Sequence, residues 1–238
     1  MVRDFFFEIG CEELPPGYIE IALEQLEALL RKSFRDALID YKGELETYGT
    51  LRRLIIFVPN VAESQNDSTS EVTGPPVKAA FDQNGNPTKA GLGFAKKVGV
   101  SIEALGRKQT DRGEYLVCHE HRHGRPTIEL LSQFIPVWTN SINFPKSMRW
   151  TETAFRFARP VRRIVALFGA DVVPVSLDGV IAGRLTQGHP RLAAGPVEVH
   201  SFADFKEKLA RNYVIMDIAE RERVITARLA EESDRTNA

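Results

Sequence analysis

Only two cysteines, Cys11 and Cys118, occur in 238 residues, so no disulfide framework can be read and no CxxC pair points to structural zinc or redox work. Long apolar runs are missing too. No stretch of 18 or more apolar residues exists, and Met-Val-Arg-Asp leads straight into a strand-like FFFEI rather than a charged-then-apolar leader. The expectation is a cytoplasmic protein without membrane attachment. GxxxxGK[ST], GxGxxG after a strand, GxSxG, HExxH and EF-hand patterns are all absent, and the acids are too dispersed to nominate a catalytic pair. Internal repeats and low-complexity tracts are lacking as well. Composition and spacing therefore offer no active site.

What the sequence does hold is enough for a core. Its 43% apolar and 26% charged residues are those of a soluble globular protein, long enough for one large domain or two small ones without covalent staples. The net charge of −1 conceals a strong segregation. Residues 1–48 carry five bases against eleven acids, a net of −6, while residues 144–191 carry eight bases against three acids, a net of +5. Such asymmetry predicts an anionic partner at one end of the chain and a different partner, or solvent, at the other.

The pattern along the chain predicts an α+β fold, with mixed or antiparallel sheets and packed helices in two or three subdomains. FFFEIG (5–10) reads as a strand, and CEELPPGY places two prolines for the first turn of a helix, with Glu12 and Glu13 near its positive end. Ile19, Leu23, Leu26, Leu30, Phe34, Ala37 and Leu38 then recur at three- and four-residue steps, while Glu20, Glu24, Glu27, Arg31 and Arg35 fill the other face. ELETYGT and RRLIIFVP (44–59) read as two strands, the second closed by Pro59, and AESQNDSTSEV reads as a linker or mobile loop. Residues 74–100 predict two short helical pieces about the turn QNGNP, 111–121 a turn into a strand, and 126–140 a helix with Ile128, Leu131, Ile135 and Trp138 on one side. A hairpin turning at Gly169-Ala170-Asp171, a strand at PVEVHS and two helices capped by Ser201 and Asp217 complete the chain.

These elements divide into a strand-helix-strand-strand unit (1–62), a helical and strand segment with a basic loop (63–142) and a β-rich segment ending in two helices (143–238). The last helix runs charged to the end with no glycine stop, as a piece of a longer chain would or as a naturally frayed terminus would.

Three constellations have two readings each. His119, His121 and His123 share one face of a strand, which suits a metal, yet a site needs further ligands and only His189 and His200 remain; the simpler reading is the solvent-facing end of an edge strand. KAGLGFAKK (89–97) faintly resembles a phosphate loop without its spacing, and glycines for close helix packing explain it better. FPKSMRWTETAFRFARPVRR (144–163) gathers Lys146, Arg149, Arg156, Arg159, Arg162 and Arg163 among Phe144, Trp150, Phe155 and Phe157. Guanidinium groups pair bidentately with phosphate and aromatic faces receive unpaired bases, so nucleic acid is a physical match. The other reading is a salt-bridged strand with Phe155 and Phe157 in the core and Arg156 opposite.

Several stretches together are similar to one known family: FFFEIGCEELPPGY (5–18), GTLRRLIIFV (49–58), residues 74–100, DRGEYLV (111–117), FPKSMRW (144–150), FARPVRRIVALFG (157–169), GRLTQGHP (183–190) and YVIMDIAERERVI (213–225). In this order they resemble the N-terminal region of the β subunit of bacterial tetrameric (α2β2) glycyl-tRNA synthetase. Two positions depart from its pattern, Cys11 where EIGTEELPP has Thr and Pro190 where TxGHR has Arg. The resemblance implies a non-catalytic part of glycine-tRNA ligase, with glycine and ATP, and its Mg2+, handled by the α subunit. The partners it implies are the α subunit, the remainder of the β subunit, including HD-like and anticodon-binding domains, and tRNA for glycine.

On that footing Lys146, Arg149, Trp150, Arg156, Arg159, Arg162 and Arg163, with Arg184 and His189, are the expected tRNA-binding residues. Arg52, Arg53, Lys78, Lys89, Lys96 and Lys97 form a second basic set. Because FARPVRRIVALFG enters a buried-looking strand, Arg159 and Arg163 also have a structural reading, leaving Lys146 and Arg149 foremost for RNA. Two rivals stand beside RNA contact. One is a subunit-docking platform whose arginines pair with the acidic N-terminal unit. The other is an editing-like domain, for which the HxxxH of His119 and His123 lacks the CxxxH that alanyl editing domains use.

Overall fold

The computed structural model describes residues 1–149 and 152–236. The chain forms two compact units, Met1–Gln65 together with Arg125–Ala238, and Asn66–Gly124. The first 65 residues thus share a unit with the helix that begins at Thr127, whereas composition placed divisions at 62/63 and 142/143.

In chain order, β1 (Val2–Cys11), α1 (Pro16–Asp36), β2 (Glu46–Thr50) and β3 (Arg53–Ala62) open the first unit. The second unit is β4 (Ser68–Pro76), α2 (Val77–Ala80), α3 (Lys89–Val98), a 3-10 turn at Ile102–Ala104, β5 (Gly106–Thr110) and β6 (Gly113–Arg122). The chain then returns to the first unit with α4 (Thr127–Ser141), β7 (Val161–Phe168), β8 (Asp171–Val172), β9 (Ser176–Leu177) and β10 (Val180–Gly183). It ends with β11 (Leu185–Gln187), β12 (Pro196–Glu198), α5 (Phe202–Arg211) and α6 (Ile218–Thr236).

The sheet of the first unit has the order β2-β3-β1-β7-β10-β9, with β8 paired to β7. Among the described residues only β10 and β7 run parallel. β1 lies at the centre, antiparallel to β3 on one side and β7 on the other. Its run of apolar residues is continuous because both faces are covered. Phe5, Phe7 and Ile9 face a core shared with Leu23, Leu26, Leu30 and Phe34 of α1 and Leu131, Ile135 and Trp138 of α4. Phe6 faces the other way, toward Ile55, Val165 and Leu167 and the α5 residues Phe202, Phe205 and Leu209. The helical period of α1, about 3.6 residues, and the two-residue period of β1 therefore meet in one layered packing. The expected caps are present, since Ser201 Oγ accepts from Asp204 N at 3.1 Å and Asp217 Oδ1 from Glu220 N at 2.8 Å.

The second unit is an antiparallel sheet of order β4-β6-β5 with α2 and α3 packed on it. Ala80, Phe94, Leu116 and Cys118 form its core. Gly91 brings α3 against α2, for a Cβ there would lie 2.5 Å from the Ala80 carbonyl oxygen. That is the close packing the sequence suggested, at one of its two glycines.

The structure corrects four local expectations. Residues 68–72, the second half of the stretch 62–72 read as a linker, open β4, and Gly74 to Pro76, read with the helical pieces, end it; among the described residues Val72 is the β4 side chain packed on the core of the second unit, so the segment carries no alternation to read. Pro59 does not close β3, which continues to Ala62 past a bulge at Asn60 (φ 49°), whose N–H donates to Asp4 Oδ1 at 3.0 Å. β6 is central rather than an edge, with β5 beside its first half and β4 beside its length, so only its histidine-bearing end has an open side. Phe155 and Phe157 are buried, as the salt-bridged-strand reading had it and not as the base-stacking one did, yet no strand holds them; a single bridge between Met148 and Phe157 does.

Trp138 is fully buried, touches the rings of Phe5, Phe34 and Phe134, and donates its indole N–H to Ser33 Oγ at 2.8 Å. Replacing it with Ala is expected to lower unfolding free energy by about 3–5 kcal/mol in urea titration, and a loss below 1 kcal/mol would show that α4 is not part of this core.

Candidate nucleic-acid interface

The basic segment 144–163 begins with its aromatics turned inward. Phe144 stacks on Tyr18 and meets Phe157 edge-on with ring centroids 4.8 Å apart, while Phe155 lies 6.1 Å from Phe157. These rings belong to the main core and are not presented to bases. Lys146, Arg149 and Arg156 remain exposed, with Arg156 directed to Ser147 at 3.4 Å. Trp150 lies outside the described residues.

The arginines that follow meet the acids of β1 and the turn after it. Gly10 faces Arg53 of β3 and Arg163 of β7 in register, so both side chains share the face of Glu8, two residues along. With no side chain at Gly10 the Arg163 guanidinium can lie over the strand; a Cβ there would come within 2.6 Å of its Cγ, Nε and Cζ. Both guanidiniums reach Glu8 Oε1 at 3.4 Å. Glu8 is 0% exposed, Arg53 3% and Arg163 16%. Arg53 also donates to the Gln187 carbonyl at 2.8 Å and to Thr186 Oγ1 at 3.5 Å, and Arg163 to Gln187 Oε1 at 3.5 Å. Burial pulls the Arg53 pKa below its ordinary value, and Glu8 acts against that fall. The neighbouring Cys11 thiol is pushed up to about 12 by burial, an inert structural cysteine.

Glu12 and Glu13 carry the same pairing outward. Glu12 accepts from Arg162 at 2.9 Å and from Arg52 at 3.2 Å, Glu13 accepts from Arg52 at 3.2 Å, and Arg159 donates to the Glu13 carbonyl at 3.0 Å. They do not lie in the first turn of α1, which contains no acid. The expected dipole role is thus replaced by ion pairing. Arg184 donates to the Ala170 carbonyl. His189 uses its backbone N–H on Asn212 and its Nδ1 as acceptor from Arg191 and Leu192 N–H, both at 3.2 Å.

His189 also lines a groove of about 880 Å3 in the first unit. Ile19, Leu23, Leu51, Val214, Ile215 and Ile218 form apolar walls, and Glu20, Glu24 and Glu27 lie along the α1 side. Sequence reading did not find this groove, because its walls come from four separate segments.

In the second unit Lys78, Lys89, Lys96 and Lys97 are all exposed, and among the described residues none has an ion-pair partner. The histidine strand binds locally, with His121 Nδ1 3.0 Å from Thr69 Oγ1 and His123 Nδ1 3.3 Å from Asp67. Among the described residues no three His, Cys, Asp or Glu groups converge as a metal requires. Among the described residues, Arg53 is the one expected RNA residue withdrawn from the surface altogether. Arg163, Arg162, Arg159 and Arg52 are engaged by acids or carbonyls, and the lysines, with Lys146, Arg149 and Arg156, are left for an external anion.

Removing one partner of a buried ion cluster leaves uncompensated charge. Glu8→Gln is therefore expected to lower unfolding free energy by about 3–5 kcal/mol in urea, with Glu12→Gln costing under about 1 kcal/mol because its pairs are solvent-exposed. Equal small effects at both positions would contradict the burial of Glu8.

Residues 5–238 match the model of the family described as glycyl-tRNA synthetase beta subunit. The chain is similar to the "Glycine--tRNA ligase beta subunit" of Moorella thermoacetica (40% identical over 94% of this chain), of Geobacter sp. strain M21 (42% over 96%) and of Desulforamulus reducens (41% over 97%). It covers 32%, 33% and 33% of those proteins, so it spans about a third of their length and corresponds to their N-terminal region. With the family model covering residues 5–238, a span that includes the central strand and the ion cluster just described, the chain belongs to the glycyl-tRNA synthetase β-subunit family.

Proposed function

We propose that this region is a non-catalytic part of glycine-tRNA ligase that binds and positions tRNA for glycine and assembles with the α subunit. The carrying observation is the division of labour among its cations. Arg52, Arg53, Arg162 and Arg163 of the first unit meet Glu8, Glu12 and Glu13, whereas Lys78, Lys89, Lys96 and Lys97 of the second unit are exposed and, among the described residues, have no acid partner. A hydrated ammonium on a flexible stem suits phosphate contact, and placing an acceptor end over a remote active site is itself a large contribution to rate. ATP and Mg2+ belong to the α subunit in this reading. The setting is the cytoplasm; no helix among the described residues is long and apolar enough to cross a membrane.

Neutralising phosphates releases counterions, so salt dependence counts the contacts. In the complete β subunit assembled with α, reversing Lys78, Lys89, Lys96 and Lys97 to Glu is expected to weaken tRNA binding and to flatten the log affinity against log salt slope by about 3. Reversal of Lys146, Arg149 and Arg156 tests the exposed cations of the basic segment in the same assay. Unchanged affinity and slope in both sets would overturn RNA contact by this region.

Subunit docking has its own support in the groove of the first unit, whose apolar walls and acidic α1 side fit a protein surface better than a phosphate backbone. Leu51 and Ile218 are half-exposed there. Leu51→Asp with Ile218→Asp is expected to reduce co-purification of α with β while leaving the melting temperature unchanged, and full retention of α would assign docking elsewhere.

A further inference from the structure

The lysine surface of the second unit has a shape as well as a charge. α3 buries Gly91, Phe94 and Ala95 on one side. At 100° per residue, Lys89, Gly93 and Lys96 line up opposite that stripe, with Ala90 and Lys97 on one flank and Leu92 on the other. A Cβ on Gly93 would meet nothing within 4 Å. No contact inside the chain calls for glycine there, although glycine in a helix interior costs stability. The outer face of α3 is therefore low in its middle and cationic at both ends, which lie about 10 Å apart at about 1.5 Å per residue.

Rings that could stack on bases are not part of this face. Phe94 is on the buried side, Phe81 lies under the Arg107 guanidinium at 5.4 Å, and Tyr115 is half-buried on β6. Recognition of single strands relies on aromatic stacking, whereas an A-form duplex presents a wide, shallow minor groove bordered by phosphates and 2′-hydroxyls and is recognised by shape.

We infer that α3 binds double-stranded RNA across the minor groove through its sugar-phosphate backbone, independently of base sequence. Lys89 meets the phosphates of one strand, Lys96 and Lys97 those of the other, and Gly93 is the point of closest approach. The inference rests on the RNA-binding reading above and specifies its ligand class.

The test uses the complete β subunit assembled with α, labelled tRNA for glycine, and three competitors: a short RNA duplex of arbitrary sequence, one of its strands alone, and the DNA duplex of the same sequence. The RNA duplex is expected to compete at least about tenfold better than the single strand, and scrambling its base pairs is expected to change nothing. Gly93→Gln is expected to weaken duplex binding about tenfold by holding the helix off the groove, without lowering the melting temperature. Gly93→Ala, which favours the helix, serves if the larger side chain disturbs folding; it should raise the melting temperature and still weaken the duplex complex. Equal competition by the single strand or the DNA duplex, or duplex binding unaffected by a folded Gly93 variant, overturns the inference while lysine reversal still weakens tRNA binding. Lysine reversals without effect on tRNA overturn the RNA reading of this surface as well.

Discussion

Two guanidinium groups held against one buried carboxylate constrain most of the first unit. Glu8 sits on the central strand, and Arg53 and Arg163 arrive from the strands on either side, so the cluster forms only when β3, β1 and β7 are in their observed register. A shift by one residue would send Arg53 or Arg163 to the opposite, wholly apolar face. The cluster carries one more positive than negative charge, and β11 answers part of that excess with the Gln187 carbonyl and side chain. The segment bearing His189 is thereby tied to the sheet through polar contacts rather than through apolar packing. Gly10 is part of the same arrangement, since any side chain there would occupy the space of Arg163.

The same strand and turn explain the charge segregation of the sequence. Glu8, Glu12 and Glu13 pass from core to surface within six residues, and together they engage Arg53, Arg163, Arg162, Arg52 and, through a carbonyl, Arg159. Much of the acidic N-terminal excess and the basic excess of residues 144–191 is thus spent internally. Arginine suits this use because its planar fork can serve several acceptors and stays charged when buried. Lys78, Lys89, Lys96 and Lys97 of the second unit face outward without an acid partner among the described residues, and this contrast separates the arginines that hold the sheet from cations available to a phosphate backbone.

Legibility in the sequence followed the strength of the local pattern. α1 and α4 were readable because large apolar residues recur on one face, and α5 because Ser201 caps it. β4 was not, because a strand in a small sheet with little core beneath it shows no alternation. The aromatics of 144–163 illustrate a different limit: Phe144, Phe155 and Phe157 look the same in sequence whether they stack on bases or on one another. The groove beside His189 had no signal at all, being assembled from α1, the β2–β3 turn and residues 188–221.

The sequence by itself determined the class of fold, the apolar faces, the segregation of charge and, through motifs in a fixed order, the family. Those properties are local, or sums of local terms, and survive without knowledge of what lies across the sheet. Only the tertiary structure decided which cations are spent and which are free. Glu8 and Arg163 are 155 residues apart in the chain, and Glu12 and Arg162 are 150 apart. Whether such charges meet depends on strand register and burial, because an ion pair is set by a few ångströms of separation and by the water excluded around it.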